Sequence, residues 1–125
     1  MHELSIASEL LRLVEERLER RGARALRRVR VAIGELSSVD PRLLRYAWEG
    51  VVAGSPHERA ELVIEWHPAR QSCALCGSII ERQPGTWMRV CPDCGLPLRV
   101  EGGDELDLVG IEADEGRTQP REVRT

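Results

Sequence analysis

The stretch Cys73-Ala74-Leu75-Cys76 and its echo Cys91-Pro92-Asp93-Cys94 contain all four cysteines of the chain, with a 14-residue insert between them. Two pairs at this spacing predict a tetrahedral metal cage, because zinc takes four ligands and each Cys-x-x-Cys closes one tight knuckle. Each second cysteine precedes a glycine, Gly77 or Gly95, able to adopt a positive φ and turn amide N–H groups toward the sulfurs. Four thiolates on one dication leave a net charge of about −2. Arg70, Arg82, Arg89 and Arg99 are near enough in sequence to offset part of it. Sulfur fills every ligand position, so no open site remains to activate water and the zinc is expected to be structural. Two disulfides compete with this reading, but the start of the chain lacks a secretory leader pattern. A thioredoxin-like redox pair also competes, but it needs only one Cys-x-x-Cys.

Outward from the cage, the chain reads as an α+β body into which the cysteine module is inserted. A segment of about 30 residues around the cysteines buries too little apolar surface to fold without its metal. Before it, Leu4, Ala7, Leu10, Leu11, Val14 and Leu18 recur at helical steps, and Gly22 is a stop. Val29, Val31 and Ile33 alternate with Arg28, Arg30 and Ala32, which predicts a strand with one buried face. Asp40-Pro41 is a helix start, with aspartate capping free N–H groups and proline in the first turn. Leu43, Leu44, Ala47, Trp48 and Val51 give that helix its apolar stripe up to Val52, before Gly54-Ser55-Pro56. Leu62, Ile64 and Trp66 alternate in a second strand that closes near Pro68.

Beyond the module, in which Pro84-Gly85 predicts a turn, Gly102-Gly103 marks a break. Leu106-Asp107-Leu108-Val109-Gly110-Ile111 then predicts a well-buried third strand. An apolar strand left alone has unpaired edges, so it is expected to return to the sheet of the first two. The expected division is residues 1–69 with 101–113 as the body, 70–100 as the zinc module, and a disordered polar tail over 114–125.

The 125 residues carry 18 basic side chains, all arginine, and a net charge of −3. An acidic balance is a poor footprint for nucleic acid. The seven arginines between Arg17 and Arg30 and the acidic run from Glu101 to Glu115 read as solvated surface. No apolar run approaches the roughly 20 residues that span a bilayer. The expected setting is the cytoplasm, where thiols stay reduced and available to metal.

Met1-His2-Glu3 stands directly before the first helix. A histidine in position two brings a free amine, a deprotonated main-chain amide and an imidazole onto one ion, and Glu3 can complete the set. That square-planar geometry suits nickel(II) or copper(II) and not zinc. His57, in a polar turn, and His67, at a strand end, read as surface residues.

Met1-His2-Glu3-Leu4-Ser5, Val31-Ala32-Ile33-Gly34-Glu35-Leu36-Ser37, the paired cysteines and Gly103-Asp104-Glu105-Leu106 together resemble the HypA/HybF family, nickel-insertion accessory proteins of NiFe hydrogenase maturation. The resemblance implies a nickel metallochaperone and not an enzyme. Its fold would be a nickel-binding domain of a three-stranded sheet and two helices, with a zinc-ribbon-like module. It also implies His2 as principal nickel ligand, helped by main-chain nitrogens at the terminus, that of Met1 included, and by Glu3. Asp40 would be a carboxylate near that site as well as a helix cap. Cys73, Cys76, Cys91 and Cys94 would hold zinc, and nickel would be cargo. The implied partners are the nickel-delivery GTPase and the hydrogenase large-subunit precursor; some relatives also serve urease. Where some relatives carry histidines beside the cysteines, this chain has Gly77-Ser78 and Gly95-Leu96, so a plain four-sulfur site is expected. The rival readings are a zinc-ribbon module binding protein or nucleic acid, with Trp87 and Arg89 exposed, and a thiol–disulfide enzyme.

Overall fold

Leu10, Val14 and Leu18 lie on one stripe of the first helix, and burying that stripe organises the body. The computed structural model describes residues 2–115 except 78, 81 and 84. Met1, Pro84 of the expected turn and the tail beyond 115 lie outside the described residues. The elements are α1 (Glu3–Arg21), β1 (Ala23–Gly34), α2 (Pro41–Val52), β2 (Glu61–His67), β3 (Arg70–Cys73), β4 (Ile79–Ile80), β5 (Leu98–Glu101) and β6 (Leu106–Glu115). Among the described residues, no helix is long and apolar enough to cross a membrane.

The body sheet has the order β2-β1-β6. β1 runs parallel to β2, with Val29 opposite Leu62 and Ile33 opposite Trp66. A parallel pair needs a crossover, and α2 supplies it. β6 returns antiparallel on the other side of β1, with Val29 opposite Ile111 and Ile33 opposite Leu106. The expected three-stranded sheet with two helices is therefore present, and its last strand does come back from beyond the module.

Both helices cover one face. Ala7, Leu10, Val14 and Leu18 of α1 join Leu44, Trp48 and Val52 of α2 over Leu26, Val29, Val31, Ile33 and Leu62 in a single core. The other face is charged, and Arg28 bridges Glu61 at 3.0 Å and Glu112 at 2.9 Å across all three strands. Ala32 also points to this face yet is buried, a small side chain between Glu65 and Asp107 on the neighbouring strands. Asp40 caps α2 by accepting from the Arg42 N–H at 2.9 Å, with Pro41 in the first turn. α1 ends at Gly22, whose N–H donates to Glu19.

Four expectations from the sequence need correction. β6 is not well buried: it is an edge strand, and Leu106 and Val109 remain 37% and 49% exposed. It also runs through Glu115, taking up two residues assigned to the tail. Trp66 stands exposed at the end of the other edge strand, so the alternation with Leu62 overstated its burial. His57 is buried, because the turn after α2 folds back on α1 and sets its Nε2 3.5 Å from Glu15.

The module contributes a second antiparallel sheet, β4-β3-β5, which spacing alone did not reveal. The linker that leaves it meets the end of β1 where main chain presses on main chain. A methyl group on Gly34 would lie 2.1 Å from the Gly103 carbonyl oxygen and 2.6 Å from the Glu105 nitrogen. Backbone cannot yield as a side-chain tip can, so Gly34→Ala is expected to cost about 3 kcal/mol or more. Denaturant unfolding of the variant checks this.

Candidate metal centres and the junction between them

Cys73 closes β3, and Cys91 follows directly on Val90, which bridges to Pro97. Both knuckles are built alike. The Gly77 N–H donates to the Cys73 carbonyl at 2.9 Å, and the Gly95 N–H to the Cys91 carbonyl at 2.9 Å. Both glycines have positive φ, 73° and 74°. The glycine amides thus close the turns, and the residues before them face the sulfurs, a refinement of the sequence reading. Main-chain N–H groups of Cys76 and Leu75 point at Cys73 Sγ, those of Cys94 and Asp93 at Cys91 Sγ, and that of Leu96 at Cys94 Sγ.

The four sulfurs lie within 4.8 Å of one another. Cys73 Sγ is 3.2 Å from Cys94 Sγ and Cys76 Sγ is 3.7 Å from Cys91 Sγ, with no disulfide among them. Zinc–sulfur bonds of about 2.3 Å set tetrahedral ligands roughly 3.8 Å apart, so the cage fits a zinc ion. Its proton chemistry agrees. The Cys76 N–H and the neighbouring Cys94 sulfur draw Cys73 down to about 6, and the Cys94 and Asp93 N–H groups lower Cys91. Cys94 accepts from Leu96, which favours its thiolate, but the Cys73 sulfur, burial and Cys91 outweigh that and push it up to about 12. Thiolates this close repel one another, and a cation in the cage relieves that repulsion.

At the start of α1, beside the end of β1, His2 is exposed in extended backbone and makes no side-chain cap. Glu3 turns inward: its Oε2 accepts from the Asp40 N–H at 3.1 Å, which lowers its pKa. One hydrogen bond therefore joins the starts of the two helices, through the Glu3 carboxylate and the Asp40 main chain. Among the described residues, the cysteines are the one cluster of three or more side-chain donors that converge on a point. Exposed Leu4, Leu43 and Tyr46 border the shallow recess that contains His2 and Glu3.

A junction that spacing did not disclose joins the body to the module. Glu35, directly after β1, accepts from both terminal nitrogens of Arg82, from Ala69 N–H at 3.0 Å and from Gly85 N–H at 2.9 Å. Arg82 also donates to the Ala69 carbonyl at 2.7 Å and stacks 3.9 Å over Trp87. The two side chains are 7% and 8% exposed. Arg82 is thus turned to the body and does not offset the sulfurs, contrary to the sequence reading. Arg82, then burial-opposed main-chain donors, hold the Glu35 carboxyl at about 2, below its ordinary 4.5. Its contribution to stability is complete above 4.5 and is lost as pH falls from there toward about 2. The signal in the sequence was Gly34-Glu35-Leu36-Ser37, a polar residue straight after a buried strand end.

The family model for HypA, described as hydrogenase/urease nickel incorporation, metallochaperone, matches residues 1–113. The chain belongs to the HypA family. The hydrogenase maturation factor HypA of Streptomyces avermitilis is 39% identical over 122 residues, covering 94% of this chain and 91% of that one. The HypA of Aquifex aeolicus is 34% identical over 115 residues, covering 91% and 98%. Among solved structures, the solution structure of the Ni metallochaperone HypA from Helicobacter pylori aligns with a TM-score of 0.61 at 29% identity, covering 92% of this chain and 99% of that one. The HypA match spans body and module together, so a free-standing zinc ribbon for nucleic acid is not favoured.

Proposed function

We propose that this HypA-family chain carries nickel(II) for hydrogenase maturation at its amino terminus, and keeps zinc in the cysteine cage purely for shape. The observation that carries the reading is the separation of two unlike donor sets on one chain. One is a closed, soft, four-sulfur cage; the other is an exposed histidine followed by Glu3, whose carboxylate accepts from the Asp40 N–H. Soft tetrahedral sites hold zinc, whereas imidazole with main-chain nitrogen suits square-planar nickel.

In this reading His2 is the principal ligand, with the terminal amine of Met1 and the His2 main-chain nitrogen completing adjacent chelate rings. Glu3 or Asp40 supplies a fourth donor. Glu3 already uses one oxygen on the Asp40 N–H, which leaves its other oxygen for the ion. Cys73, Cys76, Cys91 and Cys94 hold zinc. A cage with all positions filled has no vacancy for catalysis, so the protein acts as a carrier and not an enzyme. The apolar border of Leu4, Leu43 and Tyr46 gives a receiving partner a place to seat next to the ion. The partners proposed are the nickel-delivery GTPase and the hydrogenase large-subunit precursor, in the cytoplasm.

Elemental analysis of untagged protein after nickel exposure and desalting tests the ligand set. The expected result is one zinc that resists a mild chelator and one nickel that does not. Acetylating the terminal amine is expected to remove the nickel and leave the zinc. Nickel retained in full by the blocked protein would refute the terminal chelate.

A further inference from the structure

The segment from Glu35 to Asp40 has no regular secondary structure, yet nearly every amide along it is anchored. Gly34 N–H donates to Glu105 O at 2.8 Å and Glu35 N–H to His67 O at 2.9 Å, and Leu36 N–H bonds Gly103 O. His67 ends β2 where the chain enters the zinc module, and Gly103 and Glu105 lie on the linker by which it leaves. Ser37 N–H then donates to Gly34 O at 3.0 Å, and Val39 N–H to Ser37 Oγ at 3.2 Å. Ser38 between them is held at a φ of 66°, which a residue with a side chain adopts only under constraint from its surroundings. Val39 is buried in the core, and Asp40 N–H ends the run on Glu3. One end of this short segment is therefore fastened to the module's linkers and the other to the helix starts beside His2.

The pin at the module end is the ion pair. A buried carboxylate and guanidinium repay their desolvation only when their remaining donors and acceptors are also satisfied. Here Ala69 and Gly85 main chain complete Glu35, and the Ala69 carbonyl completes much of Arg82. Arg82 lies in the insert between the two knuckles, and Glu35 in the body, 47 residues earlier. Hydrophobic packing would join the two parts without fixing their register. A fork of charged hydrogen bonds fixes it.

We propose that Glu35 and Arg82 are positioning residues for the nickel end of the molecule. Their junction holds the module's linkers against residues 34–36, and the anchored 36–40 segment transmits that placement to Asp40 and, through its N–H, to Glu3. The inference rests on the reading of His2, Glu3 and Asp40 as the nickel end. It adds that a residue which cannot touch the ion sets how tightly the ion is held.

The test uses full-length, zinc-loaded protein with nickel(II) as the probe. Glu35→Gln, Arg82→Gln and Arg82→Lys are titrated by calorimetry, with zinc content, Tm and the nickel ligand-field spectrum measured on each. The two glutamine variants are expected to keep one zinc, to bind nickel about tenfold more weakly and to show a shifted ligand-field band; supporting groups around metal ligands have effects of this order. Arg82→Lys keeps the charge but loses the fork, so it falls between wild type and Arg82→Gln. It carries the test alone if the glutamine variants do not fold. A merely structural junction would lower Tm and leave nickel affinity within about twofold of wild type and the spectrum unmoved, which overturns the proposal. His2→Ala serves as the reference: nickel retained by that variant would refute the ligand reading itself. Nickel lost there but unchanged in the Glu35 and Arg82 variants would overturn only the positioning role.

Discussion

His2→Ala is expected to abolish specific nickel binding while zinc content, helix content and Tm stay at wild-type values. The side chain is exposed and makes no cap, so the fold loses almost nothing with it. The one structural duty of the residue is its carbonyl, which accepts from Ile6 N–H at 3.1 Å and is retained by alanine. The ion loses far more. Removing the imidazole opens a chelate ring and leaves an amine and an amide that must still surrender a proton to bind. Changes to groups that only support a metal ligand cost about 10- to 100-fold in affinity, so loss of the ligand itself is expected to exceed about 100-fold. Titration calorimetry with nickel(II) at pH 7.5, with zinc counted by elemental analysis, measures both halves of the claim. Nickel affinity should also rise with pH, because a main-chain nitrogen binds only after deprotonation. Unchanged affinity, or a spectrum with thiolate-to-nickel charge transfer, would move the cargo into the cysteine cage and end the account.

What the sequence disclosed and what it hid divide along a physical line. The α1 stripe from Ala7 to Leu18, the Asp40-Pro41 start of α2 and the paired cysteines are local patterns, each set by neighbours within a turn or two. They were legible, and so was the return of β6, since an apolar run must pair somewhere. Burial was less so. Leu106 and Val109 read as core, but which strand is central depends on sheet order, and β1 took that place. His57 is covered only because a turn closes over α1. The Glu35–Arg82 junction joins residues 47 positions apart, and neither side chain announces its partner. In sequence, Arg82 looked like a counter-charge for sulfur. In space, a carboxylate with two further main-chain donors was the better partner. The nickel end has a similar character: His2 is legible by its position, whereas the Glu3–Asp40 link depends on how two helices meet.

The second large effect belongs to the cage. Cys91→Ser is expected to lose the zinc and unravel residues 74–97, leaving the body folded. Among its described residues, the module buries no apolar side chain except its cysteines: Leu75 is 70% exposed, Leu96 43%, Val90 45% and Val100 48%, with Ile80 and Leu98 half-buried. Its buried centre is Cys73 and Cys91 themselves, at 0% and 1%. The stability of such a segment is the binding energy of its metal, roughly 10–16 kcal/mol for zinc modules of this kind, and three sulfurs with a hydroxyl recover little of it. The body stands on different ground, with thirteen buried apolar residues from α1, β1, α2, β2 and the loop before α2. Limited proteolysis should therefore cut the variant inside the module while helical circular dichroism persists. Excess zinc should protect wild type but not the variant. If Cys91→Ser kept full protease resistance without zinc, sulfur would not be what holds the module. The junction at Glu35 would then have to carry the module, through Arg82 and the Gly85 N–H among the described residues.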